Sequence, residues 1–183
     1  VARLLTEQFG VPVYNCDREA KRIMTEQVDV RSAIVELVGP EAYQADGNLC
    51  REAVARYLFA SSDHAQCLNA IVHPAVRADA DTWFTQLEQA SCLPPIAGLE
   101  SAILIEAGFR SLTDKLLLVE APLDIRIQRV CQRDHLSPDQ VKARIAAQLD
   151  DESRRQLADF IVINDGRDLL SQLTELLRND AVL

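Results

Sequence analysis

The 183 residues carry 19 Lys and Arg against 28 Asp and Glu, a net charge of −9, and nearly half of them are apolar. That length suits one domain able to bury roughly 70% of its unfolded surface, and that acidity argues against an extended nucleic-acid-binding face. No apolar run approaches the ~20 residues of a membrane span and no signal-peptide pattern appears, so the sequence predicts a soluble, cytoplasmic protein with no membrane partner.

In chain order, Val1, Leu4, Leu5 and Phe9 recur at helical spacing, so an amphipathic helix is under way at residue 1 and ends at Gly10. It has no visible cap and no initiator Met, which suggests a natural chain that extends upstream. Val11 to Tyr14 is the first strand candidate, broken off at Asn15, Cys16 and Asp17. From Arg18 onward Ala20, Ile23, Met24 and Val28 mark one face of a second helix. Gly39-Pro40 and Asp46-Gly47 read as turns, and a short helix spans about Arg51 to Phe59.

Residues 64 to 91 hold a long helical stripe that includes Leu68, Ile71, Val72, Val76, Trp83 and Leu87. Pro74 lies inside it, and an interior proline removes a hydrogen bond and kinks or breaks the axis. Ile96 to Ser101 and Leu116 to Val119 are further strand candidates, the second a continuous apolar run suited to a buried parallel position. Asp124 to Arg133 is helical. Ser137-Pro138-Asp139-Gln140 opens the next helix with a capping box. Phe160 to Ile163 is the last strand, turned by Asn164-Asp165-Gly166, and Leu169, Leu170, Leu173, Leu176 and Leu177 form the apolar face of a terminal helix.

Strands alternating with helices predict an α/β fold, a parallel sheet flanked by helices. Residues 35 to 92 are the exception, a helical block over the sheet edge. Cys16, Cys50, Cys67, Cys92 and Cys131 are odd in number, scattered and free of any CxxC pair, which argues against zinc and against a disulfide framework.

Three features meet where open α/β sheets place their chemistry, at the carboxyl ends of strands. Asp17 ends the first strand, as a helix cap or as a catalytic acid. Glu106 follows the second in "ESAILIEAG", and Arg129 and Arg133 share a helix face soon after "LLLVE". Around them, residues 126 to 155 hold seven Arg or Lys (126, 129, 133, 142, 144, 154, 155) against five acids (134, 139, 150, 151, 152). A basic island in an acidic chain suggests a compact anion such as a nucleotide phosphate, or a helix pair laced with surface ion pairs. Phosphoryl transfer needs such parts: an orienter or base for the attacking hydroxyl, and cations for the transferring group. His73, beside Pro74, either faces a cleft or is structural. Asn164 to Gly166 is either a plain turn or the lining of a base pocket. No G-x-x-x-x-G-K-[ST] phosphate loop occurs in the 183 residues.

Several stretches together resemble the dephospho-CoA kinase family. "YNCDREAKRI" resembles its Asp-Ala-Asp segment, with Asp17 in the place of the second, functional Asp. "DGNLCREAVARYLF" matches at Asp46, Gly47, Arg51 and Phe59. "LNAIVHPAV" is similar to the Leu-Asn-x-Ile-x-His-Pro signature, "RIQRVCQRD" to the Gln-x-x-x-x-Arg-Asp run, and "ADFIVINDG" to the closing Asn-x-Gly stretch. The matches stand in family order over nearly the whole chain.

The resemblance implies a P-loop kinase domain over 1–183, with a helical substrate-binding insertion at 35–92 and a lid at 134–155. It implies transfer of the γ-phosphoryl group of ATP, with Mg²⁺, to the 3′-hydroxyl of dephospho-CoA in coenzyme A biosynthesis. No protein ligand to the metal is assigned, and the chain is expected to act as a monomer or weak homo-oligomer. Asp17 falls where the family's Asp orients or deprotonates the acceptor hydroxyl. Lys21, Arg51, His73 and Glu106 fall at substrate-bordering positions; Arg129, Arg133, Arg154, Asn164 and Gly166 fall at nucleotide and lid positions.

The chain departs from the family at Asn15, where Asp is usual, at Cys16, which replaces a small Ala, and at Ala102, which replaces a common Pro. The family's Gly-rich loop would lie immediately before Val1, and a chain lacking it should be nearly inert. The alternatives are another P-loop kinase of nucleosides or small metabolites, which "LNAIVHPAV" does not fit, and an inactive binding variant.

Overall fold

The computed structural model describes residues 1–61 and 63–179. The chain forms two compact units, one built from Val1–Val13, Pro94–Gly98 and Ile103 onward, the other from Tyr14–Leu93 and Leu99–Ala102. Strand β1 (Val13–Asn15) pairs with β2 (Gly98–Glu100), and β3 (Leu117–Glu120) pairs with β4 (Phe160–Ile163).

In the first unit, helix α1 (Ala2–Phe9) ends as the sequence predicts. Gly10 takes the left-handed conformation at φ 66°, and its N–H bonds back to the carbonyls of Leu5 and Thr6. β3 and β4 run parallel in the register Leu117↔Phe160 to Glu120↔Ile163. The parallel pairing expected of the apolar run is therefore present, but not the buried position: no residue of β3 is fully buried and Val119 is 43% exposed. Val162 is 1% exposed, and helix α9 (Leu169–Asn179) packs on β4 with Leu173 fully buried. Gln172 of that helix completes the strand edge: its Oε1 accepts from Ile163 N at 2.9 Å and its Nε2 donates to Ile163 O at 3.0 Å. Edge backbone groups left unpaired carry a cost, and this side chain removes it.

After β3 come α6 (Leu123–Asp134), α7 (Pro138–Ala146) and α8 (Asp151–Leu157). The capping box read from the sequence is formed at both ends: Gln140 N donates to Ser137 Oγ, and Ser137 N donates to Gln140 Oε1 at 2.9 Å. Helix α8, unforeseen in the sequence, is capped by Asp150, whose Oδ1 accepts from Ser153 N at 2.9 Å.

The second unit packs α2 (Cys16–Glu26), α3 (Val28–Val38), α4 (Arg51–Ala60) and α5 (His64–Glu88) around Ile23, Ile34, Val54, Val72, Val76 and Ala80. Two expectations change here. The second helix does not run through Val28: Gln27 adopts an extended conformation, closing α2 and opening α3, which leaves Val28 74% exposed. Nor does Pro74 divide the long stripe, for α5 continues through it over 25 residues. Tertiary packing of the stripe on α2, α3 and α4 outweighs the single lost backbone bond.

A polar network ties α2 to α5. Tyr14 Oη donates to Asp79 Oδ2 at 2.7 Å, Arg22 Nη2 donates to Asp79 Oδ1 at 2.7 Å, and Arg22 Nε donates to Glu19 Oε2 at 2.6 Å. Burial works against the Asp79 charge, but the bonds from Arg22 and Tyr14 outweigh it and hold the carboxyl below its ordinary 3.8. Burial, followed by the Asp79 bond, pushes the Tyr14 phenol far above its usual range.

A carboxyl lowered on folding stabilises above its unfolded pKa and loses that contribution as pH falls through the folded value. Asp79→Asn should therefore cost about 1–3 kcal/mol at neutral pH by denaturant titration. It should also flatten the fall in stability below pH 3.8 relative to the unaltered chain. Ser137→Ala should cost about 1 kcal/mol, read as faster hydrogen exchange confined to the first turn of α7.

Candidate active site

At the β1–α2 junction the side chain that caps the helix is not that of Asp17. Asn15 caps α2: its Oδ1 accepts from Arg18 N at 2.8 Å. Its Nδ2 donates to Glu100 Oε2 at 2.5 Å, so the strand-end acid of β2 fixes the capping amide. Asp17 lies one residue into α2 with an exposed side chain, and the cap does not engage it. The capping duty that Asp17 was a candidate for belongs to Asn15, and the Asp17 carboxylate stands at the carboxyl end of β1. Glu100 is a participant the sequence reading missed; its signal was an acid at the end of a predicted strand.

Around it, Cys16 is 3% exposed, and burial followed by the Asp17 charge pushes its thiol up to about 12. Such a thiol stays protonated and inert at neutral pH. Lys21 follows Asp17 by one turn on the same helix face and is exposed. Arg51 is the exposed first residue of α4. His73 is half-buried on α5, and burial lowers its pKa below the ordinary value, which keeps the imidazole neutral at pH 7. A cavity of about 300 Å³ in the same unit is bordered by Tyr14, Arg22, Asp79 and Trp83. None of the candidate residues lines it.

The remaining candidates belong to the other unit. Arg129 and Asn164 are brought together: Arg129 Nη1 donates to the Asn164 carbonyl at 2.6 Å, while Asn164 N donates to Glu120 O at 2.6 Å. Gly166 has φ 113°, a conformation that favours glycine, so the turn reading of 164–166 holds as local structure. Glu106 Oε1 accepts from Leu149 N at 2.9 Å and so tethers the residues between α7 and α8.

Arg133 and Arg154 are not brought to a common partner. Arg133 Nε donates to Asp134 Oδ1 at 2.7 Å, where Arg144 Nη1 also donates to Oδ2 at 3.2 Å. These arginines, Arg133 first, hold the Asp134 carboxyl below the usual range. Arg154 donates to Asp151, which also takes Arg126 Nη2 at 2.5 Å. Arg155 makes a two-pronged pair with Glu120, at 2.6 and 3.1 Å. The two readings of the basic island are therefore not exclusive: it is laced with ion pairs, and the same guanidiniums are suited to phosphate.

Among the described residues no group of three or more His, Cys, Asp or Glu side chains could hold a metal ion. No helix among them is long and apolar enough to cross a membrane.

Comparison with known proteins gives this geometry its context. A family model described as dephospho-CoA kinase matches residues 1–169. A dephospho-CoA kinase of Bacteroides fragilis is 41% identical over 174 residues, covering 94% of this chain and 82% of the relative. One from Salinibacter ruber is 40% identical, covering 87% and 79%. A crystal structure from Thermus thermophilus superposes with a TM-score of 0.78 at 31% identity, over 97% of this chain and 88% of that one. A dephospho-CoA kinase from Campylobacter jejuni, at 20% identity and a TM-score of 0.67, shares the fold over 96% of this chain and 88% of that one. An acid presented at a strand end, an arginine-rich helical segment and this α/β frame thus coincide with a match over nearly the full sequence, and the chain belongs to the dephospho-CoA kinase family.

Proposed function

We propose that this chain transfers the γ-phosphoryl group of ATP to the 3′-hydroxyl of the dephospho-CoA ribose. The observation that carries the reading is Asp17, exposed at the end of β1 and relieved of capping by Asn15. A carboxylate there can accept a hydrogen bond from the acceptor hydroxyl, aim its oxygen in line with the γ-phosphorus and take its proton. Lys21, Arg51 and neutral His73 are assigned to the acceptor's phosphate, ribose and base, and residues 35–92 to its binding. Glu106, already bonded to Leu149 N, borders the acceptor and steadies the lid at 134–155.

Arg129, Arg133 and Arg154 are assigned to the ATP phosphates, where charge spreads over the transferring oxygens. Asn164 and Gly166 are assigned to the adenine. Mg²⁺ comes with the nucleotide, held by its phosphates and water, as suits an ion that keeps several waters. None of the residues described is assigned to it. The protein is assigned to the cytoplasm, as a monomer or weak homo-oligomer.

Coupled assay of ADP release tests the reading, with dephospho-CoA, adenosine and AMP as alternative acceptors. Because residues 1–183 hold no G-x-x-x-x-G-K-[ST] sequence, they are assayed both alone, where we expect little turnover, and preceded by the family's phosphate loop. Strong preference for dephospho-CoA is expected; equal turnover of adenosine or AMP favours a nucleoside kinase instead. In the loop-bearing form, Asp17→Asn should lower kcat by about 10²–10⁴ with little change in ATP affinity. Unchanged turnover would refute the role given to Asp17. Arg133→Ala should raise the KM for ATP, and a defect limited to dephospho-CoA would contradict its assignment.

A further inference from the structure

Asp151 serves two arginines at once. Arg126 reaches it from α6 with Nη1 at 3.1 Å from Oδ1 and Nη2 at 2.5 Å from Oδ2, and Arg154 donates to it from one turn further along α8. The two guanidiniums are largely shielded, with side-chain exposures of 24% and 19%. Yet the Nε of each is buried and makes no hydrogen bond.

One carboxylate cannot satisfy two shielded guanidiniums. The triad keeps a net positive charge, and two buried donors stay idle, a costly condition for charged groups. A phosphate chain offers what Asp151 does not: more oxygens, tetrahedral spacing and more than one negative charge, which can engage both forks together. Arg126, counted in the basic island but given no role of its own by the family resemblance, thereby joins Arg154.

We propose that Arg126 and Arg154 form a two-guanidinium clamp for the phosphate chain of the nucleotide, with Asp151 as an internal counter-anion that the phosphates displace. This rests on the assignment of Arg154 to the nucleotide made above. The carboxylate thus weakens polyphosphate binding and holds the two arginines against each other until a stronger anion arrives. The hydrogen bonds from Arg126, and after them that from Arg154, hold the Asp151 carboxyl below its ordinary range, so the counter-charge is present at neutral pH. A purely structural staple between α6 and α8 would have the opposite consequence, since its loss would loosen the arginines and weaken anion binding.

The test is titration calorimetry of inorganic triphosphate against the 183-residue chain and its variants. Asp151→Asn and Asp151→Ser are measured in parallel, so that failure of one to fold does not decide the outcome. Asp151→Glu keeps the counter-charge. The Asn and Ser forms should bind about fivefold tighter than the unaltered chain, the Glu form should match it, and adding Arg126→Gln or Arg154→Gln should abolish the gain. Equal or weaker binding by both the Asn and Ser forms, or no binding by any form, overturns the counter-anion. If Arg154→Gln alone weakens triphosphate binding while the Asp151 variants gain nothing, the inference fails and the nucleotide assignment of Arg154 stands. If Arg154→Gln also changes nothing, that assignment fails with it.

Discussion

The hydrogen bond that caps α2 governs what the β1 edge can do. A helix leaves its first N–H groups without intrahelical partners, and some side chain or water must satisfy them. Asn15 does so here, and Glu100 at the end of the neighbouring strand holds the Asn15 amide in place. With that need met by a neutral side chain, the exposed carboxylate two residues later is not tied to the helix end. Had Asp17 been the cap, its oxygens would have been bound to the helix and poorly placed to accept from a hydroxyl. Two polar residues two positions apart thus divide the junction between them: Asn15 serves the helix, and Asp17 is left exposed.

Charge is handled differently in the two compact units. In Tyr14–Leu93, Arg22, Glu19, Asp79 and Tyr14 close a network in which the donors and acceptors of α2 and α5 meet partners. This arrangement is suited to rigidity. Among residues 126–155, by contrast, two carboxylates are each shared between two arginines: Asp134 between Arg133 and Arg144, Asp151 between Arg126 and Arg154. Sharing leaves a surplus of positive charge at each cluster. Such surplus is unremarkable in stabilising terms, since partly exposed pairs contribute little, but it is well suited to attracting a multivalent anion.

The parallel strand pair supports this segment. β3 leads into α6, which carries Arg126, Arg129 and Arg133, and β4 leads into the turn whose Asn164 carbonyl receives Arg129. Both strands deliver their carboxyl ends toward the residues assigned to the nucleotide. Gln172, by completing the backbone bonding of Ile163, holds the end of β4 from the side of α9.

Several features were legible in the sequence because nearest neighbours decide them. Gly10 ends α1 through its own backbone freedom, Ser137 and Gln140 cap α7 within four residues, and the apolar runs at 116–119 and 160–163 supply the two strands that pair in parallel. The motifs quoted from the chain were enough to place it in its family. Which side chain caps α2, that Gln27 splits one expected helix into two, that α5 passes through Pro74, and which acid answers each arginine were not legible. Asn15 and Glu100 lie 85 residues apart, Tyr14 and Asp79 65, and Arg126 and Asp151 25. Local sequence fixes torsional preference and hydrophobic period. Partners at such separations are chosen only when packing brings their elements side by side, and that choice determined which charged groups stay available for chemistry.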